Sequence, residues 1–228
     1  MRSQSTINLI AWDLDNTLVD RDKAFRACLD ALAQKHGGIL DPKGLQQILA
    51  YDRSGKADRL ATMALLAEEL GLPTAAAPAL WNDLKLLLPD FITPDPQIIQ
   101  LMSGLSEQYS LALVSNGDGP LQRAKLHRTG LSDFFPERRV LISGELGMKK
   151  PGLEIFTELL ARTGQAARNI LFVGDDPWND IAGAAAANMR TCWISHGQAW
   201  LSGSPPDMVV THAGELETLL TRTERVPA

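Results

Sequence analysis

The chain is poor in cysteine and has no long apolar run. Its 228 residues include two cysteines, Cys28 and Cys192, and two isolated thiols do not make the disulfide framework of a small secreted domain. No apolar run approaches the ~20 residues that a transmembrane helix needs. The first run, residues 7–12, is short and leads directly into Asp13, so we expect no signal peptide and a mature chain that starts close to Met1. These absences favour a reducing compartment, and we predict a cytoplasmic protein.

An excess of positive charge is also lacking. The net charge is -5 and the sequence pI is 5.4, which gives no electrostatic footprint for nucleic acid or for an acidic membrane surface. An apolar content of 45% with 21% charged residues is ordinary for a globular protein. We therefore expect a small-molecule partner, no nucleic acid and no membrane, and a monomer or homodimer.

The residues that are present divide the chain into two unlike parts. In residues 21–93 apolar side chains recur at helical spacing, and Gly37 and Gly71 stand where helices are expected to end. This part is predicted to be an all-helical insertion. Its three apolar stripes are Phe25, Cys28, Leu29 and Leu32; Leu60, Met63, Ala67 and Leu70; and Leu80, Trp81, Leu84, Leu87, Leu88 and Phe91.

The rest of the chain alternates short β-rich runs with helical stretches. This alternation is typical of βαβ units and predicts an α/β fold, a Rossmann-like parallel sheet with helices on both faces. Pro94 and Pro96 mark the return of the chain from the insertion to this core. The core is thus residues 1–20 and 94–228. Its strands are predicted at residues 7–12, 109–114, 140–142, 170–173, 190–194 and 208–210.

Two carboxylates and a hydroxyl directly follow the first predicted strand. They belong to Asp13, Asp15 and Thr17. Aspartates two residues apart point to the same side of an extended chain, so both carboxylates are expected to face one pocket at the carboxyl end of the strand. Like charges that close resist ionising together unless a cation lies between them. The pattern therefore predicts a metal site and chemistry on an anion.

Polar side chains also follow the next two predicted strands, at the sheet edge where ligands bind in open parallel sheets. Ser115 and Asn116 lead into a helix predicted to begin near Pro120, and such a turn can donate hydrogen bonds to a phosphate oxygen. Lys150 precedes Pro151, which is predicted to start a helix and to hold the lysine extended across the strand ends. The sheet edge thus gains hydrogen-bond donors and a positive charge.

The fourth predicted strand runs into a loop of three acids. Asp175, Asp176 and Asp180 follow Gly174, and carboxylate oxygens are hard ligands that suit a divalent cation. Taken singly, each of the four motifs has a plainer reading as a turn, a helix cap or a solvated lysine. Their order at four successive strand ends favours one shared site.

This ordered set resembles the haloacid dehalogenase-like (HAD) hydrolase superfamily. The motifs of that family are DxDx[TV], a strand-terminal Ser or Thr, a lysine usually before proline, and a GDxxxxD-type acid loop. The resemblance covers the whole chain, because residues 21–93 are placed and sized like the family's type I helical cap. The dehalogenases of the superfamily lack an acid at the position of Asp15, so its presence implies a phosphatase.

The resemblance implies a role for each residue of the first three motifs. Asp13 would be the nucleophile that forms an aspartyl-phosphate. Asp15 would protonate the leaving oxygen and then take a proton from the attacking water. Lys150 would offset the charge that develops on the transferring group. The residues implied to bind the substrate phosphate are Thr17, Ser115 and the amide of Asn116.

The implied cofactor is Mg²⁺, which suits a few carboxylates together with a phosphate oxygen. Its implied ligands are the carboxylate of Asp13, the backbone carbonyl of Asp15, and Asp175. Asp180 and Asp176 would lie just outside this ligand set, with Asp180 acting through a water or the lysine.

The implied function is hydrolysis of small soluble phosphate esters, such as sugar phosphates, phosphoglycolate or nucleoside monophosphates, because a helical lid would exclude proteins. A β-phosphoglucomutase-like phosphomutase shares all four motifs and stays open as an alternative. A non-catalytic phosphometabolite-binding protein is a further alternative. A signalling receiver domain also uses an aspartyl-phosphate, a hydroxyl and a lysine, but it is shorter and has no helical insertion.

Overall fold

A parallel β-sheet forms the centre of the protein, in a computed structural model that describes residues 6–224. Its strands are β1 (Leu9–Trp12), β2 (Ser110–Ser115), β3 (Val140–Ile142), β4 (Ile170–Gly174), β5 (Arg190–Ile194) and β6 (Met208–Val210). They lie in the order β3-β2-β1-β4-β5-β6, and every neighbouring pair is parallel. The predicted α/β class is confirmed.

The strands lie within two residues of their predicted bounds. β3, β5 and β6 match them, while β2 and β4 each run one residue further, through Ser115 and Gly174. The central strand β1 pairs with β2 and β4, so that Trp12 stands opposite Leu113 and Val173. All four residues of β1 are buried, as expected for a strand that is covered on both faces.

Helices connect the strands and make up the inserted segment. In the described residues the α-helices are α1 (Arg21–Lys35), α2 (Pro42–Asp52), α3 (Arg59–Glu69), α4 (Ala77–Phe91), α5 (Pro96–Ser106), α6 (Gly119–Thr129), α7 (Ser143–Leu146), α8 (Leu153–Thr163), α9 (Gly183–Ala186) and α10 (Leu216–Glu224). A π-helical turn, Pro177–Ala182, precedes α9. Several helices begin at an aspartate whose carboxylate accepts a backbone N–H of the first turn, among them Asp20, Asp41 and Asp58.

The helix predicted to start at Pro151 begins two residues later. α8 starts at Leu153, because a turn comes first, in which Gly152 N donates to Lys149 O at 2.9 Å. The peptide bond between Lys150 and Pro151 is cis.

The described residues separate into two compact units. Those up to Val19 and from Pro94 onward form the sheet unit, and Asp20–Thr93 form the helical unit. Within the sheet unit, buried side chains of β1, β2, β4 and α8 share one apolar core, where the rings of Phe156 and Phe172 meet edge to face at 5.4 Å.

The helical unit contains four α-helices, of which α2 has no counterpart among the three predicted stripes. One stripe was also wrong at α3, where Leu60 is 46% exposed while Leu66 is buried. The reason is that α3 is apolar around most of its circumference, so periodicity does not mark the face that packs. The predicted helix ends are confirmed at Gly37 and Gly71, which have φ of 76° and 67°.

A buried ion pair joins the start of α1 to the end of α2. Arg21 Nη2 donates to Asp52 Oδ1 at 3.1 Å, and Arg21 Nη1 donates to the other oxygen of the same carboxylate. Gly55 N also donates to Asp52, at 2.8 Å. Both charged side chains are buried. The attraction between them therefore offsets part of the hydration free energy that each has lost.

Among residues 6–224, no helix is both long and apolar enough to cross a membrane.

Candidate active site

The predicted site residues collect at the carboxyl ends of β2, β1 and β4. These three strands are neighbours and run in the same direction, so the residues that follow them emerge at one edge of the sheet. Asp13 continues the pairing one step beyond β1, because its backbone N–H donates to Val173 O at 2.9 Å. The acid loop starts next to it, after Gly174.

A tight loop after Asp13 turns the chain away from the strand. Leu14 O accepts the backbone N–H groups of Leu18 and Val19 at 2.9 and 3.1 Å, and Asn16 N donates to Val19 O at 2.7 Å. Asn16 has a φ of 60°, a left-handed conformation that asparagine tolerates better than most residues. Asp13 and Asp15 were predicted to lie on one extended strand. β1 ends at Trp12, however, and the chain turns after Asp13.

Asp13 and Asp180 share one buried lysine. Lys150 Nζ lies 2.6 Å from Asp13 Oδ1 and 2.7 Å from Asp180 Oδ1. Lys150 is 2% exposed and Asp13 is 7% exposed, so the plainer reading of this lysine as a solvated side chain does not apply.

Burial and neighbouring charge shift the pKa values of this pair. Burial raises the pKa of Asp13 to about 7, and the Asp180 charge adds to the rise, while Lys150 opposes it. Burial alone would lower the pKa of Lys150, but the Asp13 and Asp180 carboxylates reverse the effect and hold that pKa above its ordinary value. The lysine is therefore a fixed positive charge at the site.

Asn116 holds the backbone of Lys150 from the neighbouring strand end. Its Nδ2 donates to Lys150 O at 2.9 Å, and its Oδ1 accepts Lys150 N at 2.9 Å. Both polar atoms of the Asn116 side chain thus contact the backbone of the lysine. Asn116 fixes where the lysine side chain starts.

The three acids of the loop after β4 differ in what they contact. Asp176 caps the following turn, since its Oδ1 accepts Trp178 N at 2.8 Å and Asn179 N at 3.1 Å. Asp180 Oδ2 accepts Asp176 N at 3.0 Å. Asp175 faces the first motif, where Thr17 Oγ1 donates to its Oδ1 at 3.5 Å.

Three carboxylates form a cluster that fits a divalent cation. Oxygen atoms of Asp13, Asp175 and Asp180 all lie within 4.8 Å of one another. A side chain at Gly174 would collide with the Asp180 carboxylate, so the close approach of this acid depends on a glycine. Hard oxygen donors at this spacing, with a raised pKa at Asp13, are a set that a cation would stabilise. Asp176 is outside the cluster, and Asp180, predicted as a supporting residue, is inside it.

Asp15 has a separate set of partners on α6. Lys125 Nζ donates to its two carboxylate oxygens at 2.7 and 2.8 Å. Gln122 Nε2 donates to Asp15 Oδ2 at 3.1 Å and to Ser115 Oγ at 2.6 Å. Ser115 is buried, and Gln122 therefore links the predicted proton-transfer residue to a predicted phosphate-binding residue.

Sequence reasoning missed Lys125 and Gln122. The available signal was weak: both follow the Ser115 motif on the predicted helix, three residues apart and hence on one face. α6 has few apolar side chains to bury, which indicates that polar residues fill part of its inner face.

Residues 7–188 match the family described as haloacid dehalogenase-like hydrolase. A pyrimidine 5'-nucleotidase of Escherichia coli, YjjG, is 34% identical over 135 residues, which are 58% of this chain and 59% of that protein. The match thus spans less than two thirds of that curated relative. A glyceraldehyde 3-phosphate phosphatase of Methanothermobacter thermautotrophicus is 30% identical over 204 residues, 83% of this chain and 86% of that one.

The fold also matches a solved structure over most of its length. The magnesium-bound form of YfnB from Bacillus subtilis superposes with a TM-score of 0.83 at 23% identity, covering 94% of this chain and 99% of that one. At 23% identity this similarity shows a shared fold.

Proposed function

The chain belongs to the haloacid dehalogenase-like hydrolases, and on that premise we propose that it is a Mg²⁺-dependent phosphatase of small phosphate monoesters. The observation that carries the proposal is the buried arrangement of Asp13, Lys150 and Asp180, beside Asp175. It supplies a nucleophile, the positive charge of a lysine and a carboxylate cluster at one strand end. The relatives that bear names of phosphatases point the same way.

In this proposal an oxygen of Asp13 attacks the phosphorus and forms an aspartyl-phosphate, which divides the hydrolysis into two steps. Burial and the charge of Asp180 raise the pKa of Asp13, and a bound cation would oppose that rise. Asp13, Asp175 and Asp180, together with the backbone carbonyl of Asp15, would hold Mg²⁺. When bound, that ion supplies charge stabilisation to the phosphate oxygens and keeps the carboxylates ionised.

Four side chains then handle the proton and the transferring group. Asp15 protonates the leaving oxygen in the first step and takes a proton from water in the second. Lys150 lies against the nucleophile and offsets negative charge on the phosphoryl oxygens. The hydroxyls of Thr17 and Ser115 donate hydrogen bonds to those oxygens, and Thr17 gives up its bond to Asp175 to do so. Asn116 takes part indirectly, by fixing the backbone of the lysine.

The proposed substrates are sugar phosphates, phosphoglycolate and nucleoside monophosphates. The named activities of the two relatives, on a nucleotide and on a triose phosphate, lie within this class. The residues assigned above contact only the phosphate group and the leaving oxygen, which these phosphate monoesters share. They therefore support phosphate monoesters as the substrate class.

Phosphate release from this panel, with Mg²⁺ and with or without chelator, tests the proposal. Asp13→Asn should lower the rate by about a thousandfold or more, because the covalent step needs the carboxylate oxygen. Asp30→Asn, at an exposed position of α1, is the matched control and should behave like the wild type. Near-wild-type turnover of Asp13→Asn would overturn the nucleophile assignment. Isomerised sugar phosphate without free phosphate would replace the phosphatase by a phosphomutase.

A further inference from the structure

Lys125 is a buried lysine that has no role in the proposed phosphate transfer. It is 2% exposed, and its ammonium lies 2.7 and 2.8 Å from the two oxygens of Asp15. An exposed lysine on the outer face of α6 would have kept its hydration. Burying the charge removes its hydration, which is unfavourable before any pairing is counted.

Stability does not account for this choice of residue. A buried ion pair is often no more stabilising than apolar side chains of similar volume, because the unfavourable desolvation of the two charges offsets their attraction. A leucine or methionine at position 125 would carry no charge to desolvate. The lysine is therefore explained by what it does to Asp15.

Gln122 acts on the same carboxylate from one turn earlier. It is 1% exposed, and its amide nitrogen donates both to Asp15 Oδ2 and to Ser115 Oγ. Two donors on one helix face thus hold Asp15 through its two oxygens, Lys125 through both and Gln122 through one. A carboxylate held in this way has little rotational freedom.

We propose that Lys125 and Gln122 are positioning residues that hold the Asp15 carboxylate where it meets the leaving-group oxygen. The inference rests on the proposed function, in which Asp15 transfers the proton. Proton transfer needs the carboxylate within hydrogen-bond reach of that oxygen, and a misplacement of about 1 Å can cost about a hundredfold in rate. The site then uses its two buried lysines separately, Lys150 for Asp13 and Asp180, and Lys125 for Asp15.

A pair of substrates that differ in the basicity of the leaving group isolates this role. Phenyl phosphate and p-nitrophenyl phosphate are similar in shape, but nitrophenolate leaves readily without a proton and phenolate does not. The quantity to measure is kcat/KM, which covers the reaction up to release of the leaving group. The ratio of kcat/KM for p-nitrophenyl phosphate to that for phenyl phosphate therefore reports how well the proton is delivered.

Lys125→Met should raise this ratio about tenfold, and Asp15→Asn should raise it about a hundredfold, in line with the loss of a general acid. Arg128→Met is the matched control, because Arg128 is an exposed basic residue of the same helix, and its ratio should stay within about twofold of the wild type. A defect in folding alone would lower both kcat/KM values together and leave the ratio unchanged.

Two results would overturn the inference, and they can be told apart. If Asp15→Asn raises the ratio and folded Lys125→Met does not, Lys125 does not position the acid, while the proposed function stands. If Asp15→Asn leaves the ratio unchanged, the role of Asp15 in the proposed function fails, and the inference fails with it. Should Lys125→Met not fold, Gln122→Met carries the same test, with an expected rise of about threefold; no rise there, beside a rise in Asp15→Asn, also overturns the inference.

Discussion

Lys150 Nζ lies 2.6 Å from Asp13 Oδ1, and both side chains are almost fully withdrawn from solvent. The lysine is held from two directions, because its ammonium binds two carboxylates while its backbone is bound by the Asn116 amide. Its neighbour Lys149 is exposed. Two adjacent lysines of the chain therefore occupy different environments, which makes them a matched pair for mutation.

Lys150→Met is expected to lower kcat for phosphate release by about a hundredfold to a thousandfold, the range seen when a single charge-stabilising group is removed. Lys149→Met should stay within about twofold of the wild type. The kcat values are compared after circular dichroism has shown that both variants are folded. Equal effects of the two substitutions would show that the buried lysine has no special part in turnover.

Asp175→Asn should weaken Mg²⁺ binding by about tenfold or more, because it removes a charged oxygen from the carboxylate cluster. Asp176→Asn is the control, since asparagine caps the following turn as well as aspartate does. Isothermal titration with Mg²⁺ measures both affinities without reference to turnover. If Asp176→Asn lowers the Mg²⁺ affinity more than Asp175→Asn does, Asp176 and not Asp175 is the metal ligand.

Asp52→Ala should lower the free energy of unfolding by about 3–5 kcal/mol, because it leaves the buried Arg21 guanidinium without this carboxylate. Asp30→Ala, at an exposed position of the same helical unit, should change it by no more than about 0.5 kcal/mol. Urea denaturation followed by circular dichroism measures both. A loss below about 1 kcal/mol for Asp52→Ala would show that water reaches the arginine.

Cys28 and Cys192 should not react with a thiol reagent while the protein is folded. Burial raises the pKa of each thiol to about 12, so at pH 8 the thiolate is about one part in ten thousand. Reactivity should rise with pH only as it approaches 12, or on unfolding, which returns both thiols to an ordinary pKa. Labelling with iodoacetamide at pH 8, with and without guanidinium chloride, is the measurement. Rapid labelling of the folded protein at either cysteine would contradict the burial.

Local pattern was enough to predict each strand to within two residues. The run 140–142 is a strand in the structure with the predicted bounds, since β-branched and aliphatic residues there are enclosed by residues that favour turns. The helical unit was predicted less fully, because the buried stripe of α3 cannot be told from its other apolar positions.

Contacts between distant polar residues could not be predicted from local pattern. Lys125 and Asp15 are 110 positions apart, and on a helix a buried lysine and a solvated one have the same sequence signature. The pairing of Asn116 with Lys150 depends likewise on the close approach of two loops. Motifs therefore located the strand-end residues, whereas the residues that orient them became visible only in three dimensions.

The position of β1 between β2 and β4 has a consequence for a chain that is still being synthesised. Asp13 is made before the strands on its two flanks and before its partners Lys150 and Asp180. A nascent chain or proteolytic fragment that stops before residue 180 cannot assemble this cluster. The cluster is therefore complete only in a chain that contains residue 180 as well as Asp13 and Lys150.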